Sequence, residues 1–134
     1  MTEASNDSSD EHVSNLVHAA ATWMERIGAN DQAAVVVTIA PRAALGVWTP
    51  GDQHVKTLQM IDDAGAEICE AAAPVVQRGL ETLPYSTRYA AREAIRQGAR
   101  LQLLVMPAVA KAVLRIVNHD QAVVLTTCEL AVPV

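Results

Sequence analysis

Arg88, Arg92, Arg96 and Arg100 recur every four residues, the interval that puts successive side chains on neighbouring turns of one helix face. At 100° per residue the four fan over about 120°. They stand nearly opposite the face made by Ala91, Ala94, Ile95, Gly98, Leu101 and Val105. Guanidinium groups held in that way can grip phosphates, a nucleic-acid backbone or the carboxylates of a partner helix. Tyr85 and Tyr89, at the start of the same segment, add two rings that could stack on a base or a partner side chain.

The other groups with chemical potential are less organised. Asp63, Glu67 and Glu70 follow at four and three residues, so they share a helix face. A hard cation takes six or more oxygens and nothing nearby supplies the remainder, so the triplet reads as a solvated acidic face. His12, His18, His54 and His119 have no mutual metal-ligand spacing, and His119, next to Asp120, reads as a turn residue. Cys69 and Cys128 read as small buried apolar side chains. The glycines form neither G-x-G-x-x-G nor a P-loop, and G-x-S-x-G, H-E-x-x-H and C-x-x-C are all missing. No catalytic residue, metal or cofactor is assigned on this basis. The chain reads as a non-enzyme rather than a catalyst.

Charge sharpens the arginine pattern. The net charge is −5, but Glu3, Asp7, Asp10 and Glu11 lie in the first eleven residues without a base among them, and the remainder holds 11 acids against 10 bases. Within that near-neutral body, residues 52–77 carry five acids and one Lys, while residues 78–115 carry seven bases against Glu81 and Glu93. A near-neutral body, two Lys in all and almost no aromatic residues weigh against nucleic acid as the partner.

The elements that must position these groups come from periodicity. At 134 residues, 51% apolar and 19% charged, the chain has the size and balance of one globular domain. Residues 1–9 are polar and acidic and read as a flexible tail, with the domain over 10–134. Ser8 and Glu11 have capping-box spacing ahead of Val13, Leu16, Val17, Ala20, Met24 and Ile27, an amphipathic helix ending near Gly28. The β-branched run Val35 to Ile39 predicts a strand at 33–40, and further strands are expected near 45–49 and 122–132. A helix is expected from about Gln53 to Leu83, kinked or divided at Pro74. Ser86 is the expected N-cap of a helix running to about Met106, and a central buried helix is expected from Pro107 to about Asn118. The fold class is therefore α+β, mostly helical, with a small antiparallel or mixed sheet.

An internal match adds to this. Aligning residue n with n+89 pairs Ala19 to Ile39 with Ala108 to Cys128 and gives nine identities in 21 positions, among them Arg26/Arg115, Ile27/Ile116, Asp31/Asp120, Gln32/Gln121 and Thr38/Thr127. The spacing suggests a helix-turn-strand unit used twice, the Asp at each turn bonding backbone N–H groups.

Three functional readings follow. The first is a non-enzymatic interaction or accessory protein, regulatory in role, whose helix bearing Arg88, Arg92, Arg96 and Arg100 engages an acidic partner or its own acidic helix. A core made almost wholly of Ala, Val, Leu and Ile is thin, and this chain is expected to bury more surface as a homodimer. The second is a nucleic-acid binder that contacts phosphates through the same arginines. The third is a small ligand-binding or enzymatic domain with a pocket lined by Trp23, Trp48 and the short strands. The N-terminus lacks the basic and apolar regions of a signal peptide, and residues 101–117 are too short and too charged to span a bilayer, so a cytoplasmic protein without a membrane partner is expected.

Overall fold

Val35, Val36 and Val37 lose little by being extended and bury almost completely, and they centre the strand β1 (Ala34–Ala40). The computed structural model describes residues 3–51, 55–57, 62–119 and 121–130, with side chains described from Glu11 onward. β1 pairs with β2 (Ala44–Trp48), and β2 with the two-residue β3 (Lys56–Thr57). On its other side β1 pairs with β4 (Arg100–Met106), which continues into β5 (Lys111–Asn118) and β6 (Gln121–Glu129). All pairings are antiparallel, and the sheet order is β3-β2-β1-β4-β5-β6.

Three helices cover one face of this sheet. α1 (Glu3–Ile27) buries Val13, Leu16, Ala20, Trp23 and Met24, and lies along α2 (Asp63–Glu81), which buries Ile68, Ala72, Val75 and Val76. α3 (Tyr85–Arg96) adds Ala91, with Ala94 and Ile95 partly covered. Against them the sheet presents Val35, Val37, Leu45, Leu101, Leu103, Val105, Ala112, Leu114 and Ile116, in strict alternation along each strand. The result is an α+β architecture of two layers, with the core between them.

Several expectations change. α1 is helical from Glu3, ahead of the capping box at Ser8; the loose tail expected over 1–9 falls partly outside the described residues. α2 runs through Pro74 undivided, because the residues buried before it and after it pack into one core. The helix expected to reach Met106 stops at Arg96, where Gln97 caps it and Gly98 takes a φ of 107°, and the chain turns into β4. Ser86 does not cap α3; Pro84 precedes it and no side chain bonds the helix start. Residues 107–118 form a single 3-10 turn, Pro107–Val109, and then β5, where a central helix was expected. The chain is thus not mostly helical: two long central strands stand where helix was expected.

This also separates the two matched segments. Ala19 to Ile27 is the last part of α1, whereas the aligned Ala108 to Ile116 is mostly strand, so only the second halves, β1 and β6, share a structure. At the first turn it is Asn30, not Asp31, whose Oδ1 accepts a hydrogen bond from Gln32 N at 2.8 Å. His119 does occupy the β5–β6 turn, with φ 55° in the left-handed region. Asp120 lies outside the described residues.

Candidate functional site

Shortening the helix divides the arginines. Arg88, Arg92 and Arg96 remain on α3, all exposed, and share a face with Tyr85 and Tyr89. The two tyrosines, 75% and 56% exposed, stack on each other with ring centroids 6.4 Å apart. Arg96 Nη1 donates to Glu93 Oε1 at 3.1 Å, a pair on the surface of one helix. Arg88 and Arg92 have no carboxylate partner among the described residues. A helix face that keeps aromatic rings and guanidinium groups in water has the composition of an interface core.

Arg100 belongs elsewhere. As the first residue of β4 it lies next to β5, and its side chain joins the sheet face opposite α1, α2 and α3. Register builds that face. Thr38 on β1 opposes Gln102 on β4, and Gln102 opposes Arg115 on β5, so the three side chains form a row across the sheet. Arg115 Nε and Nη2 donate to Gln102 Oε1 at 3.2 and 2.9 Å, and Gln102 Nε2 donates to Thr38 Oγ1 at 3.2 Å. A guanidinium only donates, which fixes the orientation of the amide and leaves its NH2 for the threonine. Gln102 and Thr38 are buried and Arg115 is half-buried.

Around this row lies a concave basin of about 850 Å³. Val36, Gly46, Trp48, Leu104 and Val117 make its apolar floor and walls, Val55 and Thr57 flank it, and Arg42, Arg100 and His119 stand around its rim. None of its described lining residues is acidic. Burial, and then the neighbouring Arg100 charge, push the Arg115 pKa below its ordinary value, and Arg42, Arg100 and Arg115 all line this space with no acidic side chain among its described lining residues.

The remaining groups spread out. Trp23 is buried in the core beneath the helices and Trp48 lines the basin on the opposite side of the sheet, so they do not share a pocket. Asp63, Glu67 and Glu70 are exposed on α2. Cys69 and Cys128 are free and pack against the core, and burial pushes both thiols above their ordinary pKa. Among the described residues no group of three His, Cys, Asp or Glu side chains could hold a metal ion. His54 lies outside the described residues. No described helix is long and apolar enough to cross a membrane.

The basin was missed by sequence reasoning because its polar residues are 64 and 13 positions apart and meet only through strand register. In comparison with known proteins, no family model, curated protein or solved structure matches this chain.

Proposed function

We propose that this chain is a non-enzymatic interaction protein that docks an acidic partner segment on the exposed face of α3. The observation that carries the reading is the co-placement of a stacked Tyr85–Tyr89 pair with Arg88 and Arg92, cations left without a carboxylate of their own chain among the described residues. Tyrosine and arginine dominate binding energy at protein interfaces, because each brings a large flat surface together with hydrogen-bonding capacity. Arg100, now on β4, drops out of this surface.

Fluorescence anisotropy with a labelled peptide rich in Glu and Leu tests the reading, with single-stranded RNA and duplex DNA run in parallel. The peptide should bind, weaken as salt rises, and be lost in the double variant Arg88→Glu, Arg92→Glu. Preference for RNA or DNA would move the assignment to nucleic acid. Binding unaffected by the charge reversal would overturn both.

The same reading includes self-association as a homodimer. In its support, β6 is the outer strand of the sheet, and Val123 and Val124 on it are 61% and 59% exposed.

A further inference from the structure

We propose that the face of the sheet opposite α1, α2 and α3 is a binding basin for a small organic anion with an apolar body, anchored by the Arg115 guanidinium. The proposal rests on residues other than those of the α3 surface.

Three properties of the basin define what fits. Its size of about 850 Å³ falls in the range of small-molecule sites, roughly 300–1,000 Å³. Its walls are mainly apolar: Val36 and Leu104 occupy neighbouring strands in direct register, and Trp48 closes one side. A wholly polar ion would leave those walls bare. The one polar row crossing it ends in an arginine that is already aimed. Arg115 has five N–H donors and gives two of them to Gln102 Oε1, so the others remain for an incoming acceptor. Gln102 is itself held by Thr38, which fixes the guanidinium plane before any ligand arrives.

Electrostatics selects the sign. Arg100 and Arg42 add positive charge at the rim, His119 stands beside them, and no acidic side chain is among the described lining residues. A half-buried guanidinium with no carboxylate partner among the described residues is an arrangement that an oxyanion stabilises. Carboxylate and phosphate share the required chemistry, since both offer two coplanar oxygens to a guanidinium fork. The apolar body attached to either would lie along Val36, Leu104 and Trp48.

Calorimetric titration of the full chain with decanoate, decyl phosphate, decanol and acetate separates the parts. Decanoate or decyl phosphate should bind, whichever is tighter naming the head group, while decanol and acetate should bind at least tenfold more weakly. Arg115→Gln should weaken the preferred anion tenfold or more, and Arg26→Gln, which removes an exposed arginine of α1, should not change it. If Arg115→Gln fails to fold, Arg115→Lys and Arg100→Gln serve, each expected to weaken binding severalfold. Equal affinity for decanol and decanoate, no binding of either decyl anion, or affinity indifferent to both arginines would overturn the proposal.

Discussion

Arg115 directs two N–H donors at one oxygen, Gln102 Oε1, on the neighbouring strand. Because that oxygen is neutral, the bond itself does not cancel the positive charge of Arg115. Replacing Gln102 by Glu supplies the missing charge in place. Gln102→Glu should keep or raise the melting temperature, since an ionised acceptor makes a stronger bond and the Thr38 hydroxyl can turn to donate. It should also abolish binding of decyl anions. Gln102→Leu removes the acceptor and leaves a half-buried guanidinium short of partners, at a cost of about 2 kcal/mol. Thermal melts of the two variants, with and without decanoate, check both outcomes.

A second expectation concerns Gly46, where β3 crosses close to β2. A Cβ there would lie 2.6 Å from Val55 Cγ1 and 2.9 Å from the backbone oxygen of Lys56, and a backbone atom cannot swing aside as a side-chain end can. Gly46→Ala should push β3 outward, cost about 1–3 kcal/mol as other overpacked sites do, and speed amide exchange at Thr57. Unchanged stability and exchange would mean the 55–57 segment is not held against Gly46.

These two sites show what the sequence could and could not disclose. β1 was legible because five consecutive β-branched residues fit only a pleated surface. β4 and β5 were not. Their residues Leu101, Leu103 and Val105 face the core while Leu104 faces the basin, so both faces carry apolar side chains and the alternation that marks a half-buried strand is blurred. Leu, Ala and Arg also favour helix, and Arg100 continued the four-residue spacing of Arg88, Arg92 and Arg96. Gly98 was the available signal that the helix had ended. The α3 surface, being local, could be read from spacing; the row Thr38, Gln102, Arg115 could not, because register is a property of the folded sheet.

On α3 the expectation is one of stability left alone. Arg88→Ala with Arg92→Ala should change unfolding free energy by only a few tenths of a kcal/mol, as exposed positions do. Arg96→Ala breaks only the surface pair with Glu93 and should cost less than about 1 kcal/mol. Larger losses in denaturant titrations would assign these arginines to the fold instead of to a partner.

The two cysteines carry a pH signature. Burial raises both thiol pKa values in the folded state, so at pH near or above the ordinary thiol pKa the unfolded chain has lost protons that the folded chain keeps. Stability should therefore fall as pH rises through that region, and Cys69→Ala with Cys128→Ala should flatten the slope. Alkylation of the native protein at pH 8 should be slower than that of the urea-unfolded chain, because the thiolate is the reactive form.

The last expectation concerns the edge of the sheet. Among the described residues β6 pairs only with β5; it is nine residues long and carries no charge from Ala122 to Cys128. Monomeric proteins commonly blunt such an edge with Lys, Pro or a short strand. Here a bulge at Leu125, where the β5 register shifts between Leu114 and Arg115, interrupts the described pairing. A second copy running antiparallel would satisfy the free edge and bury Val123 and Val124, and a two-fold axis through β6 needs no other surface. Sedimentation equilibrium should then show a dimer at tens of micromolar. Val123→Lys, which places a charge at the centre of the contact while leaving the helix-covered core intact, should shift it to monomer without lowering the melting temperature of the monomer itself. A wild-type chain that sediments as a monomer throughout would show that this edge does not pair between copies.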